Sequence, residues 1–207
     1  MNLSKRLTRI RDFSHDSQTI WDIGCDHGLL GLSFQADPKV KAINLVDPSE
    51  AVIKKLDSYI TTDEKIKIWH AKGQNIVLSP EKKTVFIAGM GGKEIIDILK
   101  HLEPQLTEKD SLVISPHRKI LEIRQWLMLS QLGLFHEEVL VEDGQYYLIL
   151  VLRKDAILER VTAYGDSLWK GSVGQEYLNH QILHFSRHED QASIEYVTYL
   201  KERKLPN

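Results

Sequence analysis

The sequence predicts an α/β protein with a mostly parallel sheet, closed by an antiparallel hairpin and followed by a small helical region. Three observations predict it. Short apolar runs alternate with amphipathic segments through residue 127. The first run, Thr19–Ile23, ends in Gly24-Cys25-Asp26-His27-Gly28, a glycine turn that opens a helix. Two longer strand-like runs, 135–141 and 146–152, flank Glu142-Asp143-Gly144-Gln145, and an Asp-Gly pair between such runs marks a hairpin.

Each element has its own local reason. Leu3, Leu7 and Ile10 fall at helical spacing among Lys5, Arg6, Arg9 and Arg11, so a basic amphipathic helix opens the chain. After the first strand a helix starts near Gly28. The second strand, 42–46, ends at Asp47-Pro48, and a helix follows from Ser49 with Glu50 in its first turn, where the dipole favours an acid. Residues 65–69 form a short third strand. The fourth, 84–88, runs into Gly89-Met90-Gly91-Gly92 and a helix carrying Ile95, Ile96 and Leu99. The fifth, 112–114, stops at Ser115-Pro116, and a helix through Ile120, Ile123, Trp126 and Leu127 comes next. Beyond the hairpin, from about Lys154, helical spacing returns with breaks at Gly165 and Gly171, and one longer helix is expected over 174–204.

Composition narrows the class. The chain has 207 residues, 42% of them hydrophobic, and no apolar run approaches the roughly 18–20 residues that span a bilayer. The start of the chain lacks the apolar core of a secretory signal. The single cysteine, Cys25, excludes an internal disulfide and a multi-thiolate zinc site. A cytoplasmic protein without membrane association or bound metal is expected. A net charge of −2 carries no global signature of nucleic-acid binding, so any basic surface is local. His180, His184 and His188 recur at helical spacing, but no H-E-x-x-H accompanies them, which favours a polar helix face over a metal site.

The glycine turn indicates the ligand. Dinucleotide sites keep G-x-G-x-x-G so that an anionic pyrophosphate can rest on backbone amides. Here Asp26 and His27 occupy the turn, and a carboxylate there repels phosphate. It suits a ligand with a positive charge and an amino group, such as the sulfonium and α-ammonium of S-adenosylmethionine. Asp47, ending the second strand, is placed to accept hydrogen bonds from ribose hydroxyls, or to cap the helix that follows. Gly89-Met90-Gly91-Gly92 replaces the Asn/Asp-Pro-Pro-aromatic sequence with which other methyltransferases hold an exocyclic amine. Its absence fits a ring nitrogen, and bare glycines let a nucleobase approach closely; a tight turn needing only a positive φ is the alternative.

Leu3-Ser4-Lys5-Arg6-Leu7, Asp22-Ile23-Gly24-x-Asp26-His27, Ile87-Ala88-Gly89-Met90-Gly91-Gly92, Ile123-Arg124-x-Trp126-Leu127 and Glu142-Asp143-Gly144 occur in this order. Together they resemble the bacterial tRNA (adenine-N1) methyltransferases of the TrmK type, which modify the adenine at position 22. The resemblance extends from the N-terminus to about Leu152. It implies a Rossmann-like, seven-stranded class I methyltransferase domain over 1–153 and a shortened, coiled-coil-like helical region over 154–207 that serves tRNA recognition. A monomer is expected. Three departures stand out: Lys72 replaces the acid of a Gly-Asp-Gly turn that contacts the cofactor adenine, Pro116-His117 replaces Pro-Asn, and the C-terminal region is short.

On this reading the cofactor is bound by Gly24, Asp26, His27, Gly28, Asp47, Pro48, Ala88, Gly89 and Met90. Gly73, Gln74 and Asn75 join them, because the Lys72 ammonium cannot accept from the adenine amine. Asp26 and His117 are the candidate catalytic residues. Arg6, Arg9, Gly91, Gly92, Arg118 and Lys119 are the candidate RNA contacts. N1 lies on the Watson–Crick edge, so a paired adenine has to leave its helix first. The alternatives are methylation of another RNA site, or a non-catalytic RNA-binding homologue.

Overall fold

The structure, a computed structural model, describes residues 2–14, 16–60 and 63–203. Its strands are β1 (Thr19–Ile23), β2 (Ala42–Asp47), β3 (Ile66–His70), β4 (Lys83–Ala88), β5 (Ser111–Ser115), β6 (Gly133–Glu142), β7 (Gln145–Arg153) and β8 (Glu159–Arg160). They form one sheet in the order β3-β2-β1-β4-β5-β7-β6-β8. The first five pair in parallel, and β7 enters antiparallel between β5 and β6. This is the expected seven-stranded sheet with a two-residue eighth strand at its edge. Strand order reverses between β1 and β4, so the crevice at their C-terminal ends is where such sheets bind ligands.

The helices are α1 (Lys5–Arg11), α2 (Leu29–Leu32), α3 (Glu50–Tyr59), α4 (Gly92–Leu102), α5 (Ile120–Leu129), α6 (Ser172–Phe185) and α7 (Gln191–Arg203). Ser4 and Ser49 cap α1 and α3 by accepting from Leu7 N–H and Val52 N–H. Alternation along the strands divides the core. Ile20, Leu45, Phe86, Val113 and Ile149 face α1, α2 and α3, whereas Trp21, Val46, Ile87, Ile114 and Leu150 face the other helices.

Two expectations change. The long helix over 174–204 is two helices, and its expected end at Lys204 lies outside the described residues. Asp190 causes the break: its carboxylate accepts from Ser193 N–H (3.0 Å) and Ser193 Oγ–H (2.7 Å), which caps α7 and turns the chain back. Nor is the helix after Gly28 long. One turn, Leu29–Leu32, has little dipole, so the charge at the glycine turn is set by side chains.

The C-terminal segment shares the core of the sheet. Leu168, Trp169, Tyr177, Leu178, Tyr196 and Leu200 are buried in one cluster with Ile123, Leu127, Leu148 and Leu150. Buried Arg124 ties it in, donating to Thr162 C=O (3.1 Å) and pairing with Glu137 on β6, while Ser167 Oγ–H donates to the same carboxylate.

Candidate cofactor and nucleic-acid site

A cavity of about 420 Å³ opens at the switch point, within the roughly 300–1,000 Å³ typical of small-molecule sites. Its walls come from the C-terminal ends of β1, β2 and β4 and from α1. Of the expected cofactor residues, Gly24, Asp26, His27, Asp47, Pro48, Ala88, Gly89 and Met90 line it, as do Arg6 and His117.

Asp47 ends β2 almost fully buried. Its Oδ1 accepts from Ser49 N–H (2.9 Å) and its Oδ2 from Asp26 N–H (3.3 Å). One carboxylate therefore both orders the start of α3 and ties down the glycine turn, with lone pairs remaining toward the cavity. Asp26 takes a positive φ of 48° and is exposed, with Oδ2 3.6 Å from His27 Nε2. The His27 ring meets Lys55 Nζ at 3.1 Å, and Tyr59 O–H donates to its carbonyl. Gly89 has φ +79°, and a Cβ there would find nothing nearer than His117 at 3.8 Å, so this turn is open toward the cavity.

Asp22 belongs to the cavity too, although the sequence does not mark its side chain as a ligand contact. It alternates onto the face of Leu45 and Phe86, its register partners on β2 and β4. Its Oδ2 accepts from Gly31 N–H at 2.9 Å. Burial in that apolar patch pushes its pKa up to about 6, the Gly31 hydrogen bond opposes the shift, and Asp47 adds to it. The signal available in the sequence is an acid inside the otherwise apolar run Thr19–Ile23. Burial and the charges of Asp22 and Asp47 also raise the Cys25 pKa, which keeps the thiol neutral.

Other expected residues lie elsewhere. Gly28 caps α2 behind the cavity wall. Buried Gly73 packs against Ile23 and Ile98, and Gln74 and Asn75 are on its one-turn 3-10 segment, outside the cavity lining. Gly92 allows close packing of α4: a Cβ there would lie 2.6 Å from that of Lys119. Gly91 precedes it as the α4 N-cap. Arg9 is bidentate to Glu138 on β6 (2.6 and 2.7 Å) and stacks over Phe13, so its guanidinium docks α1 onto the hairpin.

His117 lies where three concavities meet. It lines the 420 Å³ cavity, a groove of about 350 Å³ with Tyr146, Tyr147 and His180, and one of about 600 Å³ with Arg118, Lys119 and His184. Arg6 Nη1 is 2.6 Å from His117 Nε2. Burial and the charges of Arg6 and Arg118 lower the His117 pKa, so the ring is neutral near pH 7 and accepts from Arg6. Among the described residues, no group of three or more His, Cys, Asp and Glu side chains could hold a metal ion.

The methyltransferase-domain family matches residues 3–150. The tRNA (adenine(22)-N(1))-methyltransferase of Bacillus subtilis is 30% identical over 183 residues, which cover 86% of this chain and 75% of the relative. The chain belongs to this methyltransferase family. Streptococcus pneumoniae Sp1610, solved with S-adenosyl-L-methionine, superposes with a TM-score of 0.80 at 22% identity, covering 99% and 100% of the two chains. B. subtilis TrmK gives 0.73 at 21% identity over 98% and 96%. The fold of the methyltransferase is thus shared along its whole length, including α6 and α7.

The cavity fits the cofactor that such enzymes use. Three carboxylates, Asp22, Asp26 and Asp47, converge beside bare backbone at Gly24 and Gly89. That set of acceptors suits a cationic ligand with an ammonium and ribose hydroxyls, and does not suit a pyrophosphate.

Proposed function

We propose that this methyltransferase transfers the methyl group of S-adenosylmethionine to N1 of an adenine in tRNA, at position 22 as in the B. subtilis relative. The observation that carries the proposal is the meeting at His117 of a carboxylate-lined cavity with two grooves bearing Arg118, Lys119, Tyr146 and Tyr147. When bound, S-adenosylmethionine supplies an electrophilic methyl on a positive sulfur.

The residues of the chain do the rest by positioning. Asp47 accepts from the ribose, and Asp22 and Asp26 attract the ammonium. Ala88, Gly89 and Met90 leave room for a flat base beside the methyl. Adenine N1 has a free lone pair and no proton, so the site requires no strong base, in keeping with a neutral His117. Alignment of this kind contributes about 7–11 kcal/mol to a bimolecular step. Arg118 and Lys119, exposed at the C-terminal end of β5, are the phosphate contacts. Mass spectrometry of tRNA oligonucleotide fragments from cells with and without the gene tests the proposal: N1-methyladenosine at position 22 disappears with the gene, and its persistence would refute the assignment.

A further inference from the structure

Arg6 lies between the cofactor cavity and the groove beside it. It lines the first and Tyr147 lines the second, yet its guanidinium carbon sits 4.6 Å over the centre of the Tyr147 ring. The Arg6–His117 hydrogen bond spans the same boundary. Among the described residues Arg6 Nε is buried with no hydrogen-bond partner. A planar cation with an unsatisfied donor thus covers a half-buried aromatic face at the entrance to the cavity.

A nucleobase entering from the Tyr146–Tyr147 groove has to pass this boundary to reach Gly89. It needs a flat face against which to align, and stacking on an aromatic side chain is the usual way to hold an extruded base. Arg6 now occupies that face. Its partner His117 is neutral and offers a single ring-nitrogen acceptor, whereas the nucleotide brings a phosphate whose negative charge and paired oxygens attract a guanidinium more strongly. The phosphate also offers an acceptor for the unpaired Nε, since a guanidinium binds phosphate through two parallel N–H donors. A guanidinium left beside N1 would donate to the attacking lone pair and oppose the charge that N1 gains on methylation.

We propose that Tyr147 is the stacking platform for the target adenine, and that Arg6 leaves it for a tRNA phosphate on binding. This rests on the tRNA methylation reading above. The test is single-turnover methyl transfer to tRNA at saturating S-adenosylmethionine. Tyr147→Leu keeps apolar bulk without the π face, and should slow transfer by roughly 10- to 100-fold, in line with the loss of one base–aromatic stack. Tyr147→Phe should recover most of that loss. Filter binding should show tRNA affinity reduced much less than the rate, and thermal unfolding should match wild type. Arg6→Gln should lower the log–log salt slope of tRNA binding by about 0.7–0.9, the value of one phosphate. Wild-type rates for Tyr147→Leu, or a Phe variant as slow as Leu, overturn the platform. An unchanged slope for Arg6→Gln overturns the transfer to phosphate, in a chain whose Tyr147 is intact. No transfer by the wild-type protein overturns the tRNA reading itself, and the platform with it.

Discussion

Protonation of Asp22 should control cofactor affinity. The carboxyl is buried between the register partners Leu45 and Phe86, and its pKa stands at about 6 in the empty protein. The ammonium of S-adenosylhomocysteine favours the ionised form, so binding below that value first requires a proton to be lost. At pH 5 about a tenth of the protein has Asp22 ionised, which weakens affinity roughly tenfold relative to the plateau above pH 7. Titration calorimetry with S-adenosylhomocysteine between pH 5 and 7 reads this directly, and Asp22→Asn should bind more weakly at pH 7 with no step near pH 6. Stability of the empty protein carries the opposite trend. Because the folded value exceeds the ordinary 3.8, the contribution of Asp22 is fully present below pH 3.8 and is lost as pH rises through about 6. Ligand-induced thermal stabilisation should therefore be larger at pH 7 than at pH 5. A dissociation constant that stays flat from pH 5 to 7 would show that Asp22 does not hold the ammonium.

Asp47→Ala should weaken S-adenosylhomocysteine binding by about 1–3 kcal/mol, the cost of leaving ribose hydroxyls unpaired, and calorimetry showing unchanged affinity would remove Asp47 from the site. Replacing Arg118 and Lys119 with glutamine should lower the log–log salt slope of tRNA binding by about 0.7–0.9 for each phosphate no longer neutralised, as measured by filter binding from low to moderate salt. Arg124→Met leaves Glu137 buried without its cation, so urea unfolding should show a loss of about 3–5 kcal/mol; a loss under about 1 kcal/mol would mean that Arg124 does not anchor the C-terminal segment.

The sheet is legible in the sequence because five of its strands carry their own stop: Gly24, Asp47-Pro48, Gly89, Ser115-Pro116 and the Asp143-Gly144 turn. Most of the cofactor cavity follows, since strand ends determine which residues border the crevice. Pairings between residues distant in sequence do not. Arg9 reads as a free base on a helix until β6 brings Glu138 to it from 129 residues away. Likewise, nothing local shows that Arg6 will lie over Tyr147. The end of α6 is hidden because Leu178, Ile182 and Phe185 keep helical spacing up to the break, and only the cap at Asp190 marks the new start. The C-terminal segment reads as an appendage because the hairpin before it already closes the sheet, although β8 and Arg124 draw it into the core of the sheet.

Methyl transfer in vitro decides whether adenine 22 of tRNA is the target. Purified protein, tritiated S-adenosylmethionine and a tRNA transcript should give label that co-elutes with N1-methyladenosine after digestion. The same transcript with guanine in place of adenine 22 should take up none. Equal labelling of the two transcripts, or label recovered in any other nucleoside, would contradict the assignment.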